Sequence, residues 1–595
     1  MDIIYYLVGI PFIVGLVCLT ISDRLRNFLW SISFIVCLFI FGYLVYLFSN
    51  PPIVSNNLFI WDALTNVTLL GISFFSLIIT LYSYKNISDF ANRFYGCLLI
   101  TLGSGIGVVI SNHLILMAVF WGMLAITLYL MVNLAGPDSA YPAKKTFIIV
   151  GGSDSFLILG IAMLYVLTGS FNITDINVQI DRWLSACAFL SLIIASFAKA
   201  GAMPLHTWIP EISESTPASV MAFLPASIDK LLGIYLLARI CLNLFSYHES
   251  MWFLLRLLGS LTIVCAVFMA LIQHNMKKLL AYHAVSQVGY MVVGIASANP
   301  VGIAGGLFHM MNNAVYKCCL FLGAGNVEKQ TGTTELDKLG ALGKTMPVTF
   351  LSFLFASFAI SGIPPFNGFF SKWMIYQGMV EAGKNGEPSW ILFIVMALIG
   401  SGLTLASFMK IVHAVFLGQT SEEIRDKKIK DVHWTMLLPV VILALICLIF
   451  GLFYFRIPLK LFLMPVVKIE NLGNLFNMAL PLFLIIAGII IGAILYPFLK
   501  PSKIRIAPAF VGGEKQTEQM KISGTSFYNV IKETTFLKTM YKLAEKKLTD
   551  LYEVLKSIVL YFTEGFRVFH TGILGTYLTW IIFGTLVFLY IFVRF

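Results

Sequence analysis

Charged residues are scarce in this sequence. Asp, Glu, Lys and Arg make up 12% of its 595 residues, whereas hydrophobic residues make up 59% and the mean hydropathy is +0.88. A soluble domain usually has about twice that charged fraction, so the composition excludes a soluble globular protein and predicts many membrane spans. The net charge of +11 is compatible with nucleic-acid binding. However, the basic residues lie in short loops between apolar runs, where they orient membrane helices.

Cysteine is also sparse and lacks metal-binding spacing. The nine cysteines occur singly or as the pair Cys318 and Cys319, mostly inside apolar runs, with no CxxC motif. This pattern argues against a cysteine-ligated iron–sulfur cluster, a structural zinc site and a disulfide framework. The first apolar run, residues 3–21, lacks a positive n-region and a small-residue cleavage site. It therefore predicts a retained span rather than a signal peptide.

Apolar runs near the ~20 residues needed to cross a ~30 Å hydrocarbon core predict about sixteen spans. Their approximate limits are 3–21, 28–48, 63–84, 93–110, 112–134, 145–168, 184–203, 217–242, 252–273, 279–297, 301–325, 345–382 (broken), 390–417, 436–455, 478–499 and 571–593. If the N-terminus lies outside, most loops rich in Lys and Arg fall on one face, which the positive-inside rule assigns to the cytoplasm. The loop of residues 455–468 is an exception, because it places Arg456, Lys460 and Lys468 on the outer face.

The segment of residues 506–570 differs in composition. After a polar run, residues 526–569 carry lysines and acidic residues among apolar ones and predict one long helix. Such an amphipathic helix suits the cytoplasmic membrane surface or the flank of neighbouring subunits. A final span follows at 571–595. A soluble hairpin or an irregular linker is the alternative for the mixed segment.

Two predicted spans are interrupted by proline near a lysine. Lys199 precedes Pro204 in the first, and a proline pair precedes Lys372 in the second. Backbone freed inside a membrane is tolerated where it is buried or lines a wet cavity, and paired interruptions are typical of inverted-repeat transporters. Asp229 and Lys230 lie in the next apolar run. A charge at the bilayer centre costs roughly 2.5–3.5 kcal/mol, so such residues face the protein interior and commonly mark an ion path. Ordinary transmembrane prolines with snorkelling lysines are the alternative.

A row of polar side chains lies between the two interruptions. His309, Asn313 and Lys317 are spaced i, i+4 and i+8, so they share one helix face and could relay a proton through water. His283 begins a similar polar face in the preceding span. A structural hydrogen-bonding role fits His283 as well as a functional one.

The segments FAKAGAMPLHTWIPE, KKLLAYHAVSQVGYM, FHMMNNAVYKCCLFLGAG and GFFSK resemble a known family in order and spacing. It comprises the antiporter-like subunits of respiratory complex I, of membrane-bound energy-converting nickel–iron hydrogenases and of multisubunit sodium/proton antiporters. The resemblance covers about residues 60–420. It implies an all-α polytopic fold with two inverted five-helix repeats, each containing a broken helix. The implied parts are 1–92 (N-terminal spans), 93–244 (first half-channel), 252–418 (second half-channel), 436–499 (C-terminal spans), 506–570 (lateral amphipathic helix) and 571–595 (final span).

The resemblance also implies an ion path through named residues. In path order these are Lys199 of the first broken helix, Lys230 near its relay partner, His309 and Lys317 of the central axis, and Lys372 at the outlet. Asn313 stands where relatives often have a second histidine.

Span five departs from the family pattern. Relatives have a glutamate after a tryptophan there, as the counter-charge to the first lysine, whereas this chain has Gly122 in FWGMLAITLY. Asp154 of span six and Asp229 are the candidates to replace that glutamate. For Asp154, the alternative is a residue that caps a helix or binds loop amides.

The sequence therefore predicts a non-catalytic subunit that translocates H⁺ or Na⁺ within a redox-driven oxidoreductase complex of the cell membrane. The missing glutamate and the segment IDKLLGIY favour an energy-converting hydrogenase as the host. A distal subunit of NADH-quinone oxidoreductase (complex I), a scaffold that no longer pumps, and a stand-alone antiporter are the alternatives. The chain itself is expected to hold no cofactor or metal and to bind no nucleic acid. The resemblance implies partner membrane and peripheral subunits, with a nickel–iron centre and iron–sulfur clusters or flavin held by those partners.

Overall fold

The computed structural model describes residues 2–468 except 53, 55 and 385, a few scattered residues between 483 and 528, and residues 532–567 and 570–594. Most of the predicted span at 478–499 and most of the polar run after it lie outside the described residues. The chain forms two compact units, Met1–Glu533 and Thr534–Phe595. In the described part of both units the regular structure is helical, and no β-strand is present.

The helices of the first unit follow one another with short connections. In chain order they are α1 (Asp2–Thr20), α2 (Arg26–Ser49), α3 (Ala63–Asn86), α4 (Ala91–Ile110), α5 (Leu114–Val132), α6 (Ala140–Thr168), α7 (Trp183–Ala200), α8 (Trp208–Ile212), α9 (Ala218–Phe223), α10 (Asp229–Arg239), α11 (Glu249–Leu271), α12 (Met276–Ala296), α13 (Pro300–Thr331), α14 (Pro347–Ser361), α15 (Asn367–Lys384), α16 (Trp390–Val412), α17 (Glu422–Arg425), α18 (Trp434–Leu452) and α19 (Met464–Val467). A π-helical segment, Leu224–Ile228, joins α9 to α10.

Within the described residues, 12 helices are long and apolar enough to cross a membrane, and shorter apolar helices lie at Ile4–Thr20 and Pro347–Ser361. The polytopic all-α membrane fold predicted from composition is therefore confirmed. The count of about sixteen spans and the inverted relation of the two repeats stay predictions.

Side-chain caps fix several helix starts. Asp62 accepts a hydrogen bond from the backbone N–H of Thr65 at 2.9 Å and starts α3. Asn275 does the same for the N–H of Lys277 at 3.0 Å and starts α12, and Asn299 caps α13. Such a cap satisfies a first-turn donor that has no partner inside the helix, and it stabilises the helix by about 1 kcal/mol.

Both predicted helix interruptions are present. Helix α7 ends at Gly201 with φ +75°, and α14 ends at Gly362 with φ +79°. Glycine adopts this left-handed conformation without steric cost, so each glycine lets the chain leave its helix abruptly. After Gly201 the chain turns past Pro204 into α8, and after Gly362 it turns through the proline pair into α15.

The most buried helices lie at the centre of the first unit. Every residue of α10 is buried, and α12 and the 32-residue α13 are buried along most of their length. In contrast, α2, α6 and α16 expose many large apolar side chains, as expected for helices that face lipid. The central helices carry most of the titratable residues that the sequence singles out.

The second unit contains α20 (Thr535–Glu545), α21 (Leu551–Arg567) and α22 (Leu574–Arg594). The prediction of one uninterrupted helix across this segment is wrong, because a turn separates α20 from α21. Lys547 adopts φ +56° in that turn, and Asp550 accepts a hydrogen bond from the N–H of Tyr552 at 3.0 Å, which starts the next helix. Helix α22 is apolar and long enough to be the predicted final span.

Candidate functional site

The first broken helix presents a buried ion pair. Lys199 lies in the last turn of α7, and its Nζ is 3.9 Å from Oδ1 of Asp229, the first residue of α10. Both side chains are completely buried. Opposite charges at this distance attract by about 4 kcal/mol at an effective dielectric constant of about 20. Within the described residues, neither Nζ of Lys199 nor either carboxylate oxygen of Asp229 makes a hydrogen bond, so charge alone holds the pair.

The second candidate carboxylate, Asp154, lies near the same lysine. Asp154 is half-buried in the middle of α6 and lies within electrostatic reach of Lys199. Trp121 is a second neighbour of its carboxyl group. Nζ of Lys199 lies 5.2 Å from the centre of the Trp121 ring. Because Asp154 is far from either end of α6, it does not cap that helix, which removes the capping interpretation of this residue. At Gly122, next to Trp121, an added Cβ would meet open space.

Lys230 and Lys372 occupy corresponding positions at the two helix ends. Nζ of Lys230 donates a hydrogen bond to the carbonyl oxygen of Ala200, the last residue of α7. Nζ of Lys372 donates to the carbonyl oxygen of Ile360 at 2.9 Å, one residue before the end of α14. The last carbonyls of a helix lack partners and carry partial negative charge, so each ammonium group is stabilised by a helix C-terminus.

The glycine at each helix end leaves room for its lysine. A Cβ on Gly201 would lie 3.1 Å from Nζ of Lys230, and a Cβ on Gly362 would lie 3.3 Å from Cδ of Lys372. The glycines therefore serve both the backbone turn and the approach of the ammonium group.

His309 connects three central helices. Its Nδ1 lies 2.9 Å from Oγ of Ser371 in α15, and its Nε2 lies 3.1 Å from Oε1 of Gln287 in α12. The hydroxyl of Tyr316, on α13 itself, is 3.3 Å from the same Nε2. Further along α13, Nζ of Lys317 donates to the carbonyl oxygen of Leu280 at 2.9 Å. The central face predicted from spacing is thus buried and is bonded to both α12 and the second broken helix.

Two further predicted residues lie beside this axis. Asn313 is completely buried, and neither its side-chain oxygen nor its nitrogen has a hydrogen-bond partner among the described residues. Nε2 of His283 lies 2.7 Å from Oγ of Ser407, while its Nδ1 has no partner in the described part of the chain. His283 also lies within electrostatic reach of Lys317 and Lys372. Its serine contact fits a structural role and its neighbours fit an ion path, so both interpretations stand.

The row reaches the second broken helix at Lys372. Nζ of Lys372 lies 4.8 Å from the centre of the Tyr290 ring. The hydroxyl of Tyr290 is 2.9 Å from Oγ of Ser401, and the hydroxyl of Tyr376 is 2.6 Å from the same oxygen. Residue spacing does not predict Ser371, Ser401, Ser407 or Tyr376 as members of this row. Only Ser371 carries a sequence signal, since it precedes Lys372 directly.

The structure brings the predicted residues into one interior row. All except the half-buried Asp154 are completely or almost completely buried, so none of these buried residues projects into lipid. Lys230 lies within electrostatic reach of Lys317, and His309 within reach of Lys372. Over the described residues, no group of three or more His, Cys, Asp or Glu side chains is arranged to hold a metal ion.

Comparison with known sequences gives consistent matches. The family model described as "NADH:quinone oxidoreductase/Mrp antiporter, TM" matches residues 111–404. A Na(+)/H(+) antiporter subunit from Alkalihalophilus pseudofirmus is 31% identical over 430 residues, covering 68% of this chain and 53% of that protein. Its counterpart from Bacillus subtilis is 30% identical, with 64% and 50% covered. The chain thus spans about half the length of these two antiporter proteins. An uncharacterized protein from Methanocaldococcus jannaschii is 34% identical, with 61% of this chain and 75% of that protein covered.

Solved structures share the fold. A chain of the membrane-bound sulfane sulfur reductase, an archaeal respiratory membrane complex, matches with a TM-score of 0.79 at 22% identity, covering 98% of this chain and 99% of that one. A chain of the Mrp complex from a Dietzia species gives 0.72 at 20% identity, with 79% and 97% covered. A chain of respiratory complex I from Thermus thermophilus gives 0.64 at 21% identity, with 76% and 99% covered. From its sequence relatives and this fold together, the chain belongs to the NADH:quinone oxidoreductase/Mrp antiporter transmembrane family as an antiporter-like membrane subunit.

Proposed function

We propose that this chain translocates protons as one subunit of a redox-driven membrane complex. The observation that carries the proposal is the buried row from the Lys199–Asp229 pair to Lys372. Lysine and histidine exchange protons, whereas Na⁺, as a hard cation, is bound by oxygen ligands. The residues of the row therefore suit H⁺ better than Na⁺. Sodium transport, which the names of the antiporter relatives suggest, is the alternative that the experiment below separates.

The absence of a hydrogen bond between Lys199 and Asp229 suits a step in which a proton is loaded onto Lys199 and then released. Because no hydrogen bond fixes Lys199 to Asp229, a small helix movement changes their separation and with it the strength with which Lys199 holds its proton. The released proton passes toward Lys230, Lys317, His309 and finally Lys372. Lys317 comes before His309, in contrast to the order expected from the sequence, because Lys230 lies within electrostatic reach of Lys317 and His309 within reach of Lys372. Lys230 and Lys317 repel each other when both are charged. A proton that arrives on one of these lysines therefore promotes the loss of a proton from the other.

Unsatisfied polar atoms along the row indicate a wet path. The side-chain oxygen and nitrogen of Asn313, Nε2 of Gln287 and Nδ1 of His283 are buried without a hydrogen-bond partner in the part of the chain that the structure describes. Leaving a buried donor or acceptor unpaired costs about 1–3 kcal/mol, and buried water commonly supplies the missing hydrogen bonds. We therefore infer that water molecules connect the titratable groups and carry the proton across gaps between them.

The proposed host is an energy-converting membrane-bound hydrogenase or a related respiratory complex. Support comes from the extent of the fold likeness, which covers 98% of this chain in the sulfane sulfur reductase but 79% in the Mrp complex. The redox centres, namely a nickel–iron centre and iron–sulfur clusters or flavin, are proposed to lie in partner subunits. Mass spectrometry of the purified complex tests this: a nickel–iron large subunit supports the hydrogenase, and a quinone-site subunit supports complex I instead.

The transport proposal is tested in proteoliposomes that contain the assembled complex driven by its electron donor. Lys199→Ala and Lys372→Ala are each expected to lower proton uptake roughly 100-fold, a typical magnitude for losing a positioned proton-transfer group. Lys410→Ala is the matched control, since Lys410 is also buried but bonds the carbonyl oxygens of Leu271 and Gln273 away from the row.

Two results would count against the proposal. Undiminished proton uptake in both row variants of an intact complex would show that the row does not conduct and would favour a scaffold role. Sodium uptake that persists when a protonophore collapses the proton gradient would overturn the choice of H⁺.

A further inference from the structure

A second polar feature lies outside the buried row. A cavity of about 350 Å³ opens where four helices of the first unit begin or end. Its lining comes from the start of α2, the end of α3, the end of α13 and the start of α18. The lining residues are Arg26, Tyr84, Lys85, Ile87, Ser88, Lys329, Gln330, Val432, His433 and Met436. None of the roles proposed above uses this cavity.

The cavity is strongly cationic. Arg26, Lys85 and Lys329 line it together with His433, whose Nδ1 accepts a hydrogen bond from the N–H of Thr435. No Asp or Glu side chain lines it within the described residues. Arg26, Lys85 and Lys329 are exposed and form no salt bridge within the described residues. Like charges crowded around one cavity repel each other, so an anion bound among them would stabilise the site. Helices α2 and α18 also begin here, and their N-termini add partial positive charge.

The surroundings of the cavity place it at the level of the lipid headgroups. Trp434, beside His433, is 60% exposed, and exposed tryptophan is typical of the membrane–water interface. Phe28, in the first turn of α2, is 53% exposed, and further exposed apolar side chains continue along α2 and α18. Apolar surface therefore lies directly beside the cationic cavity. A free inorganic anion would gain nothing from this apolar surface, whereas the acyl chains of a lipid would bury it favourably.

We propose that this cavity binds the phosphate group of an anionic membrane phospholipid. The phosphate lies among Arg26, Lys85 and Lys329, and the acyl chains lie against the exposed apolar faces of α2 and α18. Basic pockets between membrane helices bind anionic headgroups by this combination of charge and apolar contact. The bound lipid thereby holds together the ends of α2, α3, α13 and α18.

The test uses the purified full-length chain in its complex, delipidated in detergent and titrated with phosphatidylglycerol, phosphatidylcholine or inorganic phosphate. Native mass spectrometry counts the bound lipids, and thermal unfolding reports the stabilisation. The combined variant Arg26→Gln, Lys85→Gln, Lys329→Gln is compared with Arg93→Gln, Lys144→Gln, Lys428→Gln. The control variant removes three exposed cations that lie outside the cavity.

We expect the wild type and the control variant to bind phosphatidylglycerol tightly and to be stabilised by it. The cavity variant should bind it roughly 100-fold more weakly, since each basic group near an anionic lipid contributes about a fivefold factor. If the cavity variant does not assemble, Lys329→Gln should weaken binding about fivefold while Lys329→Arg keeps it.

Two kinds of result would contradict the proposed lipid site. Equal phosphatidylglycerol binding by the cavity and control variants would overturn the site. Equal stabilisation by inorganic phosphate, or by phosphatidylcholine, would overturn the assignment to an anionic lipid.

Discussion

The two broken helices of the first unit share a helix ending but differ in how charge is balanced. Each helix ends at a left-handed glycine, and each terminal carbonyl region accepts a hydrogen bond from a buried lysine, Lys230 or Lys372. At the first break a second lysine, Lys199, adds an ion pair with Asp229. At the second break the neighbours of Lys372 are the Tyr290 ring and Ser371 with its partner His309.

This difference separates two tasks that a lysine in the membrane can perform. A helix C-terminus holds an ammonium group by itself, as Lys372 shows. Lys199 makes no such carbonyl bond within the described residues, so its burial depends on the carboxylate of Asp229. The first break contains a pair of opposite charges, Lys199 and Asp229. The second break has neutral hydrogen-bonding side chains, Ser371 and His309, beside its lysine. Loading at the first break and release at the second would follow from that contrast.

The largest expected effect comes from removing the carboxylate that makes the first break different. Asp229→Asn leaves Lys199 buried without its counter-charge, which should destabilise the protein by roughly 3–5 kcal/mol and abolish proton uptake. Asp154→Asn should cost less, because Asp154 is half-buried and outside the 4.0 Å ion-pair range of Lys199 in the described structure. Thermal unfolding and proteoliposome uptake measure both effects. Equal losses in the two variants would contradict the assignment of Asp229 as the principal partner.

A second way to sharpen the comparison is to add a carboxylate near the first break. Gly122→Glu and Gly152→Glu both place a side chain into open space. Gly152 is exposed on α6 and faces lipid, so its variant should lose roughly 2.5–3.5 kcal/mol. Gly122 adjoins Trp121, which lies over Lys199, so its variant should lose clearly less. Unfolding midpoints in denaturant provide the measurement, and equal losses would show that the added group does not reach Lys199.

The outer ion pair of the first half gives a pH-dependent test. Arg239 donates to Asp62 through two nitrogens, at 2.6 and 2.8 Å. Burial acts to raise the pKa of Asp62, but the Arg239 charge and the hydrogen bonds from Arg239 and Thr65 outweigh it, so the pKa is lowered. The pair thus contributes stability above the ordinary aspartate pKa of about 4, and this contribution is lost as pH falls through the lowered value.

Asp62→Asn should therefore reduce stability by about 2 kcal/mol at neutral pH and by progressively less in acid. Thermal unfolding between about pH 3 and pH 7 checks this. The comparison is Glu387→Gln, which breaks the corresponding pair with Arg256 in the second half. A loss for Asp62→Asn that is constant with pH would show that its ionisation does not contribute.

The two terminal glycines should respond unequally to alanine. Both positions have positive φ, so each substitution carries about 1–2 kcal/mol of backbone strain. At Gly201 the new Cβ would also lie 2.1 Å from Cδ1 of Ile209, whereas at Gly362 the nearest atom is 3.3 Å away. Gly201→Ala should thus be the more destabilising variant in thermal unfolding. A larger loss at Gly362 would contradict this steric ranking.

The smallest effect tests the polar neighbour that is particular to the second break. Ser371→Ala removes a neutral hydrogen bond to His309 and should cost about 1 kcal/mol. It should also slow proton uptake while leaving the Lys199–Asp229 end intact. Ser361→Ala, a nearby serine bonded to the Ser357 carbonyl of its own helix, is the control. Equal uptake in both variants would remove Ser371 from the path.

Local sequence predicts the breaks and the buried row but not the pairings. Proline, glycine and lysine close together predict each interruption. Proline and glycine disrupt a helix, and a lysine within the membrane must find a polar partner inside the protein. The contact of Lys230 with Ala200, and the choice of Asp229 over Asp154, depend on how distant helices pack, which no local spacing encodes. The turn that divides α20 from α21 was missed for a related reason: its lysines fit a continuous helix equally well, and the left-handed Lys547 leaves no compositional trace.

Helix α13 has no proline beyond its first residue and no π-helical interruption along its 32 residues, so it behaves as a stiff lever about 48 Å long. Lys317 and Lys329 are separated on this lever by about 18 Å of helical rise. Since the lever does not bend between them, a tilt imposed at one end displaces the other. With a lipid bound at Lys329 as proposed above, a tilt of α13 at the membrane surface would therefore reach Lys317 through one unbroken helix.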